Sequence, residues 1–286
     1  VGLPGVVVNG DHLGHYQIKY EITDPKKISI VIPSKDHVAD LEKCIHSIVS
    51  KTTYKDYEII VVENNSNKEE TFAYYDTLRD QKNIRVMKWP QTGFNFSAIV
   101  NYGVQVAQGT YIVLLNNDTE VISQDWLELM LMYAQREDVG VVGAKLYYPD
   151  ETIQHAGVFL HPTGAAGPMS YKIPREASGY FGHVKVAQNV SAVTGACLMV
   201  KKSLYEEVGG FDDQLLKVSY NDVDFCMKIR ALSKLVVFTP YAELYHHESK
   251  SRGYDEEGEN NKRWAIERDN FLQKWAKQLE KGDPYY

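Results

Sequence analysis

The alternation of short apolar runs with segments of helical periodicity constrains the fold more than any other feature of this chain. Runs rich in β-branched residues occupy positions 28–33, 57–62, 84–87 and 111–115, and apolar residues at helical spacing fill the intervals. Continuous apolar runs of this length are typical of strands that are buried on both faces of a parallel sheet. The pattern therefore predicts βαβ units, and with them an α/β fold with a mostly parallel central sheet flanked by helices.

The second half of the chain has a less regular pattern. Its predicted elements are short strands near Val141 and Ile153 and at 158–160, 197–200 and 235–238, a turn beginning at Pro240, and helices from Lys202, from Asn221 and across 262–279. Positions 161–181 contain tyrosines but few aliphatic residues, which predicts a loop that covers a site. Positions 1–27 are punctuated by glycine and proline and are interpreted as a leader or linker that precedes one domain, 28–286.

Composition limits the class of protein. A chain of 286 residues, 44% of them hydrophobic, is long enough to bury one large core. The net charge of −7 argues against a general nucleic-acid binder, which requires a basic surface, but it permits a nucleotide ligand. The three cysteines form no CxxC pair, which favours a reducing compartment. No apolar run of about 20 residues and no signal peptide are found, so a cytoplasmic protein without a transmembrane segment is predicted.

Asn116, Asn117 and Asp118 follow directly after the apolar run at 111–115. The carboxyl edge of a parallel sheet is where α/β proteins bind ligands. Carboxylate and amide oxygens suit a hard divalent cation, which in turn can hold a diphosphate. The alternative is an Asx-rich turn that leads into the next helix.

Asp222 is a candidate general base near the start of a predicted helix. It shares one face with the apolar residues at i+3, i+4 and i+7, so its side chain is expected to point into the protein or into a cleft. Asp224 is expected on roughly the opposite face, which points outward to solvent, paired with Lys228. The alternative is that Asn221 and Asp222 only cap the helix and complement its dipole.

The adjacent residues His246 and His247 are followed by Ser251 and Arg252. An imidazole in this segment can bind a metal ion, and Arg252 can contact phosphate. The alternative is a solvated surface loop.

Eight segments of the chain resemble the motifs of one known family and appear in the order in which that family has them. They are residues 30–33, 61–66, 93–95, 116–118, 195–197, 209–212, 221–224 and His246. Together they resemble family 2 of the inverting nucleotide-sugar glycosyltransferases, which have the GT-A fold. The similarity is greatest to the branch that acts in bacterial surface polysaccharide assembly and includes rhamnosyltransferases. It covers residues 28–255, most of the chain.

The resemblance implies a metal-dependent, inverting transfer of a sugar from a UDP- or dTDP-sugar to a hydroxyl of a glycan or lipid-linked acceptor. The implied cofactor is Mn²⁺ or Mg²⁺. The implied location is the cytoplasm or the inner face of the plasma membrane, with any membrane association supplied by other domains. Residues 28–120 would form the nucleotide-sugar-binding half, 121–255 the acceptor-binding and catalytic half, and 256–286 a C-terminal helix.

The resemblance also assigns roles to individual residues. Asp118 matches the metal-binding acid, His246 matches a further metal ligand of some members, and Asp222 matches the base that deprotonates the acceptor. The positions that match the donor-nucleotide site are Pro33, Ser34, Asp36, Glu63, Asn65, Gly93, Asn95, Asn116 and Asn117. Those near the transferred sugar and the acceptor are Gly195, Ala196, Asn221 and Asp224. His247, Ser251 and Arg252 lie in a segment that is expected to contact phosphate.

Two positions depart from the family pattern. Asn116 stands where the first metal-site carboxylate is usual, and Glu63 stands where aspartate is commoner. A catalytically silent sugar-nucleotide-binding or scaffold domain of a multi-domain synthase is therefore an alternative. A sugar-1-phosphate nucleotidyltransferase is a third interpretation, but its glycine-rich N-terminal loop is missing around Ser34.

Overall fold

The computed structural model describes residues 2–10, 13–161, 166–248 and 258–286. The strands are β1 (Gly5–Asn9), β2 (Tyr16–Tyr20), β3 (Ile28–Ser34), β4 (Tyr57–Glu63), β5 (Ile84–Lys88), β6 (Tyr111–Leu115), β7 (Thr119–Val121), β8 (Val139–Tyr147), β9 (Ile153–His155), β10 (Val158–Leu160), β11 (Ala166–Pro168), β12 (Gln188–Asn189), β13 (Cys197–Lys201) and β14 (Leu235–His246). The helices are α1 (Val38–Lys51), α2 (Glu69–Leu78), α3 (Phe96–Val106), α4 (Trp126–Ala134), α5 (Lys202–Glu207), α6 (Asn221–Ala231) and α7 (Gly258–Leu279), with a 3₁₀ helix at Tyr180–Lys185.

Ten strands form one central sheet in the order β12-β14-β8-β13-β6-β3-β4-β5, with β7 beside β14 and β9 beside β8. The α/β fold with a central sheet flanked by helices is confirmed. Strands β6, β3, β4 and β5 are parallel, as the alternation at the start of the chain predicts. The other half of the sheet is mixed: β8 and β14 are parallel, but β13 is antiparallel to both β6 and β8.

The antiparallel direction of β13 departs from the expectation of a mostly parallel sheet. The Asn116 backbone N–H donates to the Ala196 carbonyl at 3.0 Å, just before β13 begins at Cys197. The chain therefore enters β13 at the edge where β6 ends, and it must run back along β6. An antiparallel neighbour needs no crossover helix directly before it, and no helix lies between β12 and β13.

The two faces of the sheet bury separate apolar clusters because successive side chains of a strand point to opposite sides. Ile30 and Ile32 of β3 belong to the cluster that includes residues of α1, α2 and α4, whereas Val31 belongs to the cluster that includes residues of α3, α5, α6 and α7. Gly103 allows α3 to lie close to the sheet, since a Cβ there would stand 2.4 Å from Val31 Cγ1. The three cysteines are buried free thiols, and burial raises the pKa of Cys44 to about 12.

Two local predictions were wrong. The chain does not turn at Pro240, which is among the described residues. Instead, β14 continues from Leu235 to His246, with a shift of register between Phe238 and Glu243. Proline cannot donate a ladder hydrogen bond, and such an irregularity accommodates it within a strand. The strand near Val141 is not short but spans nine residues. Within positions 1–27, which are interpreted as a leader or linker, β1 and β2 form an antiparallel pair. Across the described ranges, no helix is both long and apolar enough to cross a bilayer.

Candidate active site

A cleft of about 1220 Å³ opens at the carboxyl edge of β3 and β6. It is lined by eleven of the residues that the sequence predicts for a site, namely Pro33, Ser34, Asp36, Asn116, Asn117, Asp118, Gly195, Ala196, Asn221, Asp222 and His246. These residues come from positions as far as 213 apart in the chain. The cleft is therefore the candidate active site.

Strand register brings Gly195 and Ala196 to the polar end of β6. Cys197 pairs with Leu115, so the residues just before β13 lie beside those just after β6. The Asn117 side chain in turn reaches β3, with its Nδ2 3.5 Å from Ser34 Oγ. Residues of β3, β6 and β13 thus share one edge of the sheet.

The pairing of β14 with β7 brings His246 next to Asp118. His246 at the end of β14 pairs with Thr119 of β7, and the His247 backbone N–H donates to the Asp118 carbonyl at 2.9 Å. His246 Nε2 consequently lies 3.2 Å from Asp118 Oδ1 and 3.1 Å from Asn116 Nδ2. The two residues that the family resemblance assigns to a metal are in contact.

The surroundings of Asp118 fit a divalent cation. Burial opposes ionisation of this carboxyl, but its contacts with the His246 ring and with the neighbouring backbone outweigh burial, so the pKa of Asp118 is lowered. Its Oδ1 is buried and accepts no hydrogen bond from the residues that the structure describes. In that part of the chain no group of three or more His, Cys, Asp or Glu side chains is suited to hold a metal. A cation here would take Asp118 and His246 as ligands and need further oxygens from a diphosphate or water, as Mg²⁺-type sites often do.

Asp222 lies in the first turn of α6 and faces the cleft. Its Oδ2 accepts a hydrogen bond from the Gly195 backbone N–H at 2.8 Å, and its Oδ1 accepts one from the Val223 N–H at 2.8 Å. Asn221 is buried and donates from Nδ2 to Ser97 Oγ at 3.0 Å, which ties the start of α6 to α3. The carboxylate is thus fixed in orientation beside the open cleft.

Asp224 is not on an exposed face, and this corrects the sequence expectation. Its side chain is fully buried and accepts a hydrogen bond from Trp275 Nε1 at 2.7 Å, with Lys274 Nζ at 2.8 Å. The predicted pairing with Lys228 is present at 3.3 Å. Asp224 does not line the cleft because α7, whose position the helix pattern of α6 does not reveal, covers that side of α6.

Several residues expected at the donor nucleotide organise the surrounding loops and do not line the cleft. Glu63 accepts a hydrogen bond from the Ser66 N–H, and Asn65 Nδ2 donates to the Gln91 carbonyl at 2.9 Å. Asn95 caps α3 by accepting from the Ala98 N–H, and Gly93 has a φ of +88°. Asn64 lines the cleft where Asn65 was expected.

Asp36 lines the cleft and also holds the loop before α2. Its Oδ1 accepts hydrogen bonds from the Asn67 and Lys68 N–H groups and from Thr71 Oγ1. Burial opposes its ionisation, but these hydrogen bonds outweigh burial and lower the pKa of Asp36. This structural role explains an aspartate at the end of β3.

His247 does not reach the cleft. Its Nε2 lies 3.1 Å from Lys43 Nζ and 3.5 Å from Glu120 Oε2, on the α1 side of β14. His247 thus lies apart from the cleft that His246 lines, since alternate residues of a strand end point to opposite sides, and its contact with phosphate stays a prediction. Ser251 and Arg252 lie outside the described residues.

Sequence reasoning missed other residues that line the cleft. They include Lys68, Tyr148, Gln154, His155, Arg263 and Trp264. His155 is buried between the Ala144 carbonyl, 2.8 Å from its Nδ1, and the Thr194 N–H, 3.2 Å from its Nε2. Burial lowers the pKa of His155 to about 4, so its neutral ring holds the segment that leads to Gly195. The residue pair Gln154-His155 in the short strand β9 belongs to no sequence motif or periodic pattern, so these contacts could not be predicted from the sequence.

The fold is that of the GT-A glycosyltransferases. A crystal structure of GalNAc-T7 with UDP, GalNAc and Mn²⁺ matches 91% of this chain and 50% of its own chain, with a TM-score of 0.69. The sequence identity is 15%, so this likeness concerns the fold. Residues 29–209 match Glycosyl transferase family 2, and the chain belongs to that family.

Two relatives extend the similarity along nearly the whole chain. Uncharacterized protein y4gI of Sinorhizobium fredii is 41% identical over 272 residues, which are 95% of this chain and 30% of that protein. O-antigen biosynthesis protein RfbC of Myxococcus xanthus is 35% identical over 276 residues, which are 95% of this chain and 21% of that protein. The chain therefore spans less than a third of the length of both relatives.

Proposed function

We propose that this domain is a metal-dependent, inverting glycosyltransferase. It would move a sugar from a nucleotide-diphospho-sugar to a hydroxyl of a glycan or lipid-linked acceptor in bacterial surface polysaccharide synthesis. The observation that carries the proposal is that the Asp118–His246 pair and the Asp222 carboxylate line one cleft. Family membership and the similarity to an O-antigen biosynthesis protein support the reaction class and the pathway type.

The proposed mechanism places the metal ion and the nucleotide on one side of the cleft and the general base and the acceptor on the other. Asp118 and His246 would hold a divalent cation, Mn²⁺ or Mg²⁺, which as a Lewis acid stabilises the negative charge of a departing nucleoside diphosphate. Residues 28–120 would bind the nucleotide, through Pro33, Ser34, Asn116 and Asn117. The Mn²⁺ and UDP named for the GalNAc-T7 structure are consistent with this division.

Asp222 would act as the general base from the acceptor side, in residues 121–255. The N–H groups of Gly195 and Val223 hold its carboxylate, and the N-terminal end of α6 favours its ionised form. The proton of the acceptor hydroxyl would pass to a carboxylate oxygen as that hydroxyl attacks the anomeric carbon. A single displacement assisted by one base inverts the anomeric configuration.

The experiment that tests the proposal is a donor screen. Purified protein is heated with UDP-, dTDP- and GDP-sugars, each with and without Mn²⁺, and the melting temperature is recorded. A donor present at about 100 times its Kd should stabilise the fold by about 2.7 kcal/mol. Stabilisation that requires both donor and Mn²⁺ supports the proposal, and no response to any donor contradicts it.

The second candidate is a catalytically silent sugar-nucleotide-binding or scaffold domain. Asn116 favours it, because an amide in place of a carboxylate reduces the negative charge at the metal position. Hydrolysis of the stabilising donor in the presence of Mn²⁺ distinguishes the two candidates. Slow release of free sugar indicates a catalytic cleft, whereas an intact donor after prolonged incubation indicates a silent domain.

A further inference from the structure

Gln154 contacts the ring nitrogen of His246 that points away from Asp118. His246 Nδ1 lies 2.6 Å from Gln154 Oε1, while Nε2 lies 3.2 Å from Asp118 Oδ1. An amide oxygen can only accept a hydrogen bond, so Nδ1 must carry the proton in this arrangement. Gln154 is buried, and the contact is shielded from water.

Glu248 determines which way the Gln154 amide faces. Gln154 Nε2 donates to Glu248 Oε2 at 3.0 Å and lies 3.4 Å from the His246 carbonyl oxygen. Rotating the amide by half a turn would place Gln154 Oε1 next to the Glu248 carboxylate and the His246 carbonyl oxygen. All three groups are hydrogen-bond acceptors, so this orientation is unfavourable. The Glu248 carboxylate therefore selects the amide orientation, and the amide selects the tautomer of His246.

The same network extends to two tyrosines. The Tyr148 hydroxyl donates to Glu248 Oε2 at 3.0 Å and lies 3.2 Å from the Tyr171 hydroxyl. Tyr171 belongs to the segment 161–181 that was predicted to cover a site, and both tyrosines line the cleft. The Tyr148 hydroxyl therefore also restrains the Glu248 carboxylate.

We propose that Gln154 is a positioning residue that holds His246 with Nδ1 protonated and with the Nε2 lone pair directed at the metal position beside Asp118. This inference rests on the proposed function, in which His246 is a metal ligand. In the opposite tautomer the Nε2–H would point at Asp118 and exclude a cation. Partners of this kind orient a metal-binding histidine and typically change metal affinity by 10- to 100-fold when removed.

The tautomer can be measured without any metal. Long-range ¹H–¹⁵N correlation spectra of the ¹⁵N-histidine-labelled protein at pH 8, assigned with a His246→Ala sample, report which ring nitrogen carries the proton. We expect His246 to be protonated at Nδ1 and bare at Nε2. A ring protonated at Nε2 would overturn the inference.

Metal affinity gives the second readout. In Gln154→Met, the affinity for Mn²⁺ in the presence of UDP or dTDP should fall at least 10-fold. The matched control is Gln188→Met, which makes the same change in β12, where the side chain donates to the His183 carbonyl outside the cleft. The double variant Q154E/E248Q keeps an acceptor at His246 Nδ1 and a hydrogen bond between positions 154 and 248. It loses the contact with the His246 carbonyl and reverses the hydrogen bond of Tyr148, so it should recover most, but not all, of the affinity that Gln154→Met loses.

The outcomes separate this inference from the proposed function. If the wild-type protein binds no Mn²⁺ with either nucleotide, the metal assignment fails, while the tautomer spectrum still tests the Gln154 contact. If the wild type binds Mn²⁺ and Gln154→Met binds it equally well, the positioning role is wrong. If Gln154→Met does not fold, the positioning role is tested by the tautomer spectrum of the wild-type protein and by the Mn²⁺ affinity of the double variant.

Discussion

Trp275 donates a hydrogen bond from its indole Nε1 to Asp224 Oδ1 at 2.7 Å, although 51 positions separate the two residues. Asp224 is fully buried, and Lys274 bridges it to Asp212 with distances of 2.8 Å to each carboxylate. The C-terminal helix α7 is therefore fastened to α6, the helix that carries Asp222. The position of the proposed base depends on residues near the end of the chain.

Asp224→Asn should destabilise the protein strongly. The substitution removes the charge that offsets Lys274 and Lys228 and weakens the hydrogen bond from Trp275, and a hydrogen bond to a charged group contributes about 1.5–3 kcal/mol. Both lysines are partly exposed and Lys274 keeps its contact with Asp212, so denaturant unfolding should show a free energy of unfolding lower by about 2 kcal/mol. Asp269→Asn is the control, because Asp269 is an exposed residue of α7 that pairs only with a neighbouring arginine in the described contacts. Equal stability of the two variants would contradict the fastening role.

Asp118→Ala should abolish the dependence of nucleotide binding on Mn²⁺. Asn116 and Asn117 carry no charge, so no second carboxylate at the end of β6 can replace Asp118. Titration calorimetry of the stabilising nucleotide should give the same affinity with and without Mn²⁺ in the variant, and a large difference in the wild type. His246→Ala should reduce this difference more mildly, because the ligand that remains, Asp118, is the one with the negative charge that attracts the cation.

His247→Ala is the control for the metal site. His247 faces Lys43 and Glu120, so its removal should leave the effect of Mn²⁺ on nucleotide affinity unchanged. A loss of metal dependence in His247→Ala with none in His246→Ala would reverse the assignment of the two histidines.

The parallel half of the fold and the polar end of β6 were predictable because their signals are local. A continuous apolar run such as Tyr111–Leu115 indicates a strand buried on both faces, and the residues that follow it must lie at the sheet edge. The eight family motifs added residues from distant parts of the chain to the same cleft. Eleven of the predicted site residues line this cleft.

The remaining features depend on tertiary packing that no local pattern encodes. Asp224 was expected to face solvent because the sequence of α6 does not reveal that α7 covers it. Glu63 and Asn65 follow a strand end, as a nucleotide site requires, yet their side chains are used to hold the loop itself. Gln154 and His155 act through contacts with residues 92 and 39 positions away, and sequence spacing gives no indication of such contacts.

His155 should make the protein less stable in mild acid. Its pKa is about 4 in the folded protein, against an ordinary value of 6.5, so the unfolded chain binds the proton first as the pH falls. The contribution of neutral His155 is complete above about pH 6.5 and is lost progressively towards pH 4. At pH 5 the loss should amount to about 2 kcal/mol relative to pH 7.

His155→Gln isolates this effect. The glutamine amide can donate to the Ala144 carbonyl and accept from the Thr194 N–H, but it does not titrate. Unfolding free energies measured at several pH values should fall less steeply between pH 7 and pH 5 in the variant. Parallel curves for the two proteins would show that His155 does not control acid stability.

Asp222→Asn is the sharpest test of the proposed mechanism. The amide is nearly isosteric and its oxygen can still accept from the Gly195 or Val223 N–H, so the fold should lose only about 1 kcal/mol. Donor binding should persist, because Asp222 is assigned to the acceptor side. Sugar transfer should fall by roughly 10²-fold or more, the usual scale for loss of a positioned base.

Glu128→Gln is the control, since it makes the same acid-to-amide change in the first turn of α4, away from the cleft. Transfer, donor affinity and melting temperature are measured on the same preparations. Full transfer activity in Asp222→Asn would refute the base assignment, and unfolding of that variant alone would indicate a structural role for the carboxylate.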